Sequence, residues 1–413
     1  MPILVARDSR QSGNEIQTYL IDFLNKIGRN VVSCDIVPTP TAQFVTDKFE
    51  IAGAIVITAS HNPQEWNGMK FIDSDGTFLN KDKNKKLFEF AESINLSKLK
   101  EKNSKSKCSS FAESIDLHVN NVLNINFLEV DKIKNKNFKI VLDTINGASC
   151  IGFKKLLQEL NCELIHINEQ PNGVFDRNPE PKTENIKEVS KIVLEHSADL
   201  ALITDPDGDR LAVIDNKGQV MIEENTLVLC ADEFLSKTNK QNPIVTNLST
   251  TAALEEVANK YDVNVIRSAV GEINVVNKMK ECNAQIGGEG NGGVILTESH
   301  YGRDAFVGAI IILNHLATNN ITMNEAQENI PKYYMLKEKI EIDNQLTEEI
   351  ISKKIKQYFS KLIFDEIDGI KVIHDDFWIH IRQSNTEPII RIYIESKKEQ
   401  DLSNLFNQVK EIF

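Results

Sequence analysis

The chain has 413 residues, a formal net charge of −13, 41% hydrophobic and 26% charged residues. That length suits two to four domains, and the balance is ordinary for a soluble globular protein. The acidic excess argues against a general nucleic-acid or anionic-membrane surface, yet permits an anionic substrate in a cleft where Arg, Lys and backbone N–H groups gather.

The start, Met-Pro-Ile-Leu-Val-Ala-Arg, lacks a signal-peptide pattern. No apolar run reaches the ~18 residues of a membrane span. Cys34, Cys108, Cys150, Cys162, Cys230 and Cys282 are scattered without a Cys-x-x-Cys pair. They read as reduced thiols of a cytoplasmic protein, not a disulfide frame or zinc site.

In chain order, Pro2–Ala6 is expected as a strand and Glu15–Ile27 as an amphipathic helix. Ala52–Ile57, small and β-branched, is expected as a buried strand. That strand stops abruptly at Thr58-Ala59-Ser60-His61-Asn62-Pro63. Such an ending lifts the Ser60 hydroxyl into a turn, where it can serve as a covalent carrier. An Asn-Pro turn with serine as a local cap is the plainer alternative. His61 beside it reads equally as a general base or as a hydrogen-bonding orienter. Asn67-Gly68-Met69-Lys70 follows. Lys70 is either a surface lysine or an acid/base or phosphate contact of the same pocket. The Lys-, Ser- and Asn-rich stretch 80–110 is interrupted by acids and reads as a solvated helix and loop. Residues 111–135 read as a helix and linker.

The first pattern then recurs. Lys139–Asp143, helix Gly152–Leu160 and Asp199–Ile203 lead into Asp205-Pro206-Asp207-Gly208-Asp209-Arg210. Three carboxylates at alternate positions, tightened by proline and glycine, suit one hard cation such as Mg²⁺, Mn²⁺ or Ca²⁺. An EF-hand reading fails, because Arg210 stands where its sixth-position glycine belongs and Asn216 where its acid belongs. Arg210 beside the acids suggests a phosphate bridging metal and guanidinium.

In a third copy, Pro243–Asn247, helix Ala252–Tyr261 and Asn283–Ile286 lead into Gly288-Glu289-Gly290-Asn291-Gly292-Gly293. The glycine spacing matches a dinucleotide fingerprint, but that motif opens a helix, and here Val294–Leu296 continues as a strand. Glycines let backbone approach a ligand, so Glu289 and Asn291 can bond sugar hydroxyl or amino groups. A plain glycine-rich hairpin is the alternative. Strand–helix alternation implies three α/β units with largely parallel sheets whose loops converge beyond the strands' carboxyl ends.

From about residue 336 the pattern changes. Lys339–Ile342, helix Glu348–Leu362, strands Gly369–His374, Phe377–Arg382 and Ile389–Glu395, and a closing helix make an α+β module. Within it, Arg382-Gln383-Ser384-Asn385-Thr386-Glu387-Pro388 can form a nest for a phosphate that is not transferred. The expected units span 1–125, 136–235, 236–335 and 336–413.

Together these loops resemble the α-D-phosphohexomutases: phosphoglucomutases, phosphomannomutases and phosphoglucosamine mutases. The resemblance covers essentially the whole chain, in order. Arg267-Ser-Ala-Val-Gly-Glu-Ile-Asn-Val with GEGNGG and Tyr301-Gly-Arg-Asp304 most resembles the phosphoglucosamine mutase-like branch. The resemblance implies four domains around a cleft and phosphoryl exchange through phosphorylated Ser60. It implies Mg²⁺ on Asp205, Asp207, Asp209 and the phosphoserine, and a hexose 1,6-bisphosphate as activator. Arg210 would contact the transferring group, with Lys70 and His61 as acid/base or positioning residues. Glu289 and Asn291 would read the sugar, Gly271 and Glu272 would add a contact, and Arg382, Ser384, Asn385 and Thr386 would hold the other phosphate. The implied partner is a phosphosugar, for a monomer or homodimer.

Family members carry a further N-terminal strand and a Gly-Arg loop ahead of the segment matched by Ala6-Arg7-Asp8-Ser9-Arg10. A cleft arginine near the phosphoserine is therefore expected to be absent, through a misplaced start or in a weakened homologue. Two rival functions stand beside the mutase: a metal-dependent phosphatase using Ser60, and a non-catalytic sugar-phosphate binder. The grips at both ends of the substrate favour the mutase.

Overall fold

The computed structural model describes residues 1–95, 106–238, 241–341, 346–383 and 389–413. The first unit holds β1 (Ile3–Arg7), α1 (Gln11–Lys26), β2 (Val31–Ile36), α2 (Thr39–Lys48), β3 (Gly53–Ile57), β4 (Met69–Asp73), α3 (Lys81–Ser93) and β5 (Cys108–Ser110), and α4 (Ser114–Leu123) follows it. The second holds α5 (Val130–Lys136), β6 (Lys139–Asp143), α6 (Cys150–Glu159), β7 (Glu163–Ile167), α7 (Thr183–His196), β8 (Leu200–Thr204), β9 (Leu211–Asp215) and β10 (Val220–Met221). The third holds α8 (Glu224–Lys237), β11 (Ile244–Asn247), α9 (Ala253–Asn259), β12 (Val265–Ser268), α10 (Glu272–Cys282), β13 (Ile286–Glu289), β14 (Gly293–Leu296), α11 (Ala305–Asn319) and α12 (Met323–Glu328). The last holds β15 (Tyr334–Glu341), α13 (Glu348–Tyr358), β16 (Ile363–Asp365), β17 (Ile370–Ile373), β18 (Phe377–Gln383), β19 (Ile389–Ser396) and α14 (Glu399–Lys410).

The threefold repeat is topological. The sheets share the orders β4-β3-β1-β2, β9-β8-β6-β7 and β14-β13-β11-β12, extended at their edges by β5 and β10. In each, three strands run parallel and the fourth returns antiparallel in a hairpin. The serine, aspartate and glycine loops all occupy that hairpin turn, at 58–68, 205–210 and 290–292. The tail module is a fully antiparallel sheet, β15-β19-β18-β17-β16.

Alternation along the buried strands explains the layering. Leu4 and Ala6, Ile140 and Leu142, and Leu200 and Leu202 face one core shared by the first three units. The intervening Val5, Val141, Ala201 and Ile203 face outward, under α1 or α7, and Val245 lies under α10. The tail module has a core of its own. Helix α11 runs through the shared core with twelve buried residues, as a helix apolar on every side must. Asp304 caps it, accepting from Phe306 N at 2.8 Å. Phe306 is fully buried against Phe153 and His118. Phe306→Ala is expected to cost about 3–5 kcal/mol by cavity formation, read as a lower midpoint in urea.

Some sequence expectations need correction. The strand placed at 283–286 begins at Ile286, because Asn283 takes a left-handed conformation that ends α10. Strands β2, β4, β7 and β12 are among those not anticipated. β7 and β12 lie at sheet edges, where half-buried polar residues blur the pattern. The stretch 80–110, expected as a solvated helix and loop, holds α3 without a buried residue and ends in the exposed strand β5, which pairs with β2, as far as it is described.

Candidate active site

The strand-to-turn ending of β3 places Ser60 at φ 51°, a left-handed conformation uncommon outside glycine. Neighbours hold it there. Thr58 Oγ1 accepts from Ser60 N at 2.9 Å and donates to Asp8 Oδ2 at 2.6 Å. The fully buried Arg10, paired with Asp8, donates Nη2 to the carbonyls of Ser60 (2.9 Å) and Asn62 (2.5 Å). An arginine thus does lie on the serine loop, although it grips backbone and not the open cleft.

Ser60 Oγ lies 3.4 Å from Asp205 Oδ2 and 3.4 Å from His61 Nδ1. Asp205, Asp207 and Asp209 are wholly buried, each offering an oxygen within 4.8 Å of the others. Lys70 reaches them from β4, with Nζ 2.7 Å from Asp207 Oδ2 and 3.3 Å from Asp209 Oδ2. Thr39 Oγ1 donates to Asp207 at 2.6 Å, tying the second unit's loop to the first unit.

Opposing neighbours divide the three acids. Burial, then Asp209 and Asp207, push Asp205 well above the usual carboxylate range. Burial also raises Asp209, but Arg303, Lys70 and Arg210 outweigh it and hold that carboxyl far below. Asp207 is held low by Lys70 against the same burial. Asp207 Oδ1 and Asp209 Oδ1 are buried without a hydrogen-bond partner among the described residues. Unpartnered, converging, oxygen-only donors fit a hard divalent cation.

A cleft of about 740 Å³ opens beside this cluster. His61, Arg210, Glu289, Asn291 and Arg382 all line it, so every unit contributes. Burial and the nearby Arg210 charge push His61 down to about 4, leaving the imidazole neutral at pH 7. Its Nε2 sits 4.0 Å from Glu180 Oε1, which also lies 3.4 Å from Arg210 Nη1. Glu289 accepts from Asn247 Nδ2 (2.8 Å) and Gly271 N (2.9 Å). Glu272 is buried behind the cleft, bonded to Gln43 Nε2 at 3.0 Å and pushed up to about 7 by burial. The tail module docks through Lys371 Nζ to Leu248 O (2.6 Å), Ser249 Oγ with His380 Nδ1 (2.8 Å) and Val270 N to Asp368 Oδ2 (3.0 Å). This docking brings Arg382 to the cleft. Ser384, Asn385 and Thr386 lie outside the described residues.

The sequence reading did not single out Glu180, Asn247 or Arg303 as site residues. Glu180 had a local signal, a carboxylate between Pro179 and Pro181 that a loop presents rigidly. Asn247 had none, and Arg303 stood only inside the branch-marking stretch Tyr301–Asp304 with no role given to it. The group His118, His300 and Asp304 is a joint between units. Both imidazoles bring Nε2 to the same Asp304 oxygen, at 2.9 and 3.2 Å, and Thr41 holds His118 Nδ1 at 2.9 Å.

Models of the phosphoglucomutase/phosphomannomutase family match four consecutive pieces. Alpha/beta/alpha domains I, II and III match residues 1–98, 116–218 and 223–334, and the C-terminal domain matches 337–412. The chain belongs to this family and is a phosphohexomutase, an isomerase. It is 35% identical over 404 residues to the phosphoglucomutase/phosphomannomutase of Thermococcus kodakarensis, covering 96% of this chain and 86% of that one. It is 33% identical over 416 residues to the phosphoglucosamine/phosphogalactosamine mutase of Sulfurisphaera tokodaii, covering 99% and 90%. The solved structure of a family protein from Burkholderia thailandensis superposes with a TM-score of 0.86 at 24% identity, covering 100% of this chain and 88% of that one.

Proposed function

We propose that this phosphohexomutase interconverts glucosamine 6-phosphate and glucosamine 1-phosphate through a phosphoserine at Ser60 and a bisphosphorylated sugar. The observation that carries the reading is one cleft to which every unit contributes. His61 and Arg210 line it beside the Ser60 Oγ–Asp205 contact of 3.4 Å, together with Glu289, Asn291 and Arg382.

In the forward step the sugar hydroxyl attacks the phosphorus of phosphorylated Ser60. The bond from phosphorus to Ser60 Oγ breaks as the bond to the sugar oxygen forms, and the hydroxyl proton passes to a base. Neutral His61, with Nδ1 3.4 Å from Ser60 Oγ, and the ammonium of Lys70, on Asp207 and Asp209, are the acid/base and positioning residues. Arg210 contacts the moving group. Asp205, Asp207 and Asp209, with the phosphoserine, would hold Mg²⁺. When bound, that cation offsets charge on the transferring phosphoryl oxygens. Glu289 and Asn291 read the sugar, Gly271 orients Glu289 through its N–H, and Glu272 acts from behind. Arg382, with Ser384, Asn385 and Thr386, grips the phosphate that stays. The intermediate then turns over, its other phosphate returns to Ser60, and a hexose 1,6-bisphosphate recharges any serine that has lost its group.

A second reading, phosphomannomutase and phosphoglucomutase activity, is supported by the name of the 35% identical relative. Phosphorus NMR with Mg²⁺, a hexose bisphosphate and the 6-phosphates of glucosamine, mannose and glucose separates the two. Conversion of glucosamine 6-phosphate at least about tenfold faster in kcat/KM, or ~1.4 kcal/mol of discrimination, is expected. Preference for mannose or glucose 6-phosphate moves the assignment to the second reading. Release of inorganic phosphate alone makes the protein a phosphatase.

A further inference from the structure

The aspartate loop and the glycine loop are tied together by a side chain that neither loop contributes. Arg303 lies between β14 and α11 and is 7% exposed. All three of its guanidinium nitrogens are engaged. Nη2 donates to Asp209 Oδ2 at 2.7 Å, Nη1 to Glu289 Oε2 at 2.7 Å, and Nε to Glu272 Oε2 at 3.0 Å. The three carboxylates come from three separate segments, and only a planar fork reaches all of them.

A second observation is independent of these bonds. Gly293 closes the GEGNGG loop without a positive φ, so its backbone does not call for glycine. Space does. A Cβ at Gly293 would lie 2.2 Å from Arg303 Cδ and 2.9 Å from Cγ. The last glycine of the loop is therefore the notch through which the arginine passes.

We propose that Arg303 is a positioning residue, holding the sugar-reading carboxylate Glu289 in fixed relation to the cation-holding carboxylate Asp209, with Gly293 kept small to admit it. The inference rests on the mutase reading. It gives the arginine opposite effects on the two ligands. Its charge beside Asp209 opposes an arriving dication, while its fork orients Glu289 and its charge attracts an anionic sugar phosphate.

The test is to titrate Mn²⁺ by paramagnetic resonance and glucosamine 6-phosphate, with mannose 6-phosphate in parallel, by calorimetry. Wild type, Arg303→Met, Arg303→Lys, Gly293→Ala and the Gly293→Ala/Arg303→Met double variant are compared, with thermal melts as a folding control. Arg303→Met is expected to bind Mn²⁺ at least about threefold tighter and sugar phosphate at least about tenfold weaker. Arg303→Lys restores wild-type Mn²⁺ affinity but not sugar-phosphate affinity, because one ammonium cannot span three carboxylates. Gly293→Ala weakens sugar phosphate in the wild-type background and changes little once the arginine is gone.

Parallel loss of both affinities in Arg303→Met, or wild-type sugar-phosphate binding in Arg303→Lys, would overturn the proposal. If Arg303→Met fails to fold around its uncompensated acids, Arg303→Lys and Gly293→Ala decide alone. If wild type takes Mn²⁺ but neither binds nor converts either sugar phosphate, the mutase reading fails. The direction of the Mn²⁺ change then still decides whether Arg303 acts on Asp209.

Discussion

Ser60→Ala is expected to abolish phosphoryl exchange, lowering kcat by roughly 10⁴-fold or more, as loss of a covalent carrier does. The fold should be indifferent. Among the described residues the Ser60 hydroxyl makes two long contacts, both 3.4 Å, and the backbone bonds from Arg10 and to Thr58 survive the substitution. A stability change within about 1 kcal/mol follows. The decisive measurement pairs intact mass after incubation with a hexose bisphosphate, which should show a phosphoryl adduct on wild type only, with the exchange rate. Normal turnover by the variant would end the phosphoserine scheme.

Asp207→Asn should remove activity together with its dependence on a divalent cation, by about 10²–10⁴-fold. The change keeps the shape of the side chain and its bond from Thr39, but removes one of the three charges proposed to hold the cation. Lys70 then keeps Asp209 as its one charged partner among these acids. In chelator the variant should melt within a few degrees of wild type, because relief of repulsion among buried acids offsets the lost Lys70 pair. Adding Mg²⁺ separates them. At 100 times its dissociation constant a ligand of the native state stabilises by about 2.7 kcal/mol, and that gain should appear in wild type alone. A variant that keeps an Mg²⁺-dependent rate and the same shift in melting temperature would place the cation elsewhere.

Contiguous loops were legible in the sequence, because each writes its chemistry into a few adjacent residues. Asp205–Arg210 alternates acid with turn-forming residues, and no core-packing demand produces that spacing. Thr58–Pro63 ends a strand on a serine. The repeat of strand, helix, strand and loop was visible because buried parallel strands read as apolar runs. Edge strands β7 and β12 were not, because half of each faces polar surroundings. Lys70 stood ambiguous between surface lysine and site residue. Only its place on β4, antiparallel to β3, decides that it reaches the aspartates.

The amino-acid sequence by itself determined the architecture of three α/β units and an α+β tail, the serine, the three aspartates and the glycine loop. Hydrophobic period and local turn chemistry act over a few residues, and a reader can see that range. Tertiary structure alone decided which distant groups face one another. The stretch Tyr301–Asp304 marks Arg303 but says nothing of its partners. Its three carboxylates lie 14, 31 and 94 residues away in the chain. The same holds for Arg10 on the serine loop and Thr39 on Asp207. A buried charge takes its partner from whatever the packed units bring within hydrogen-bond reach, and sequence spacing does not record that distance.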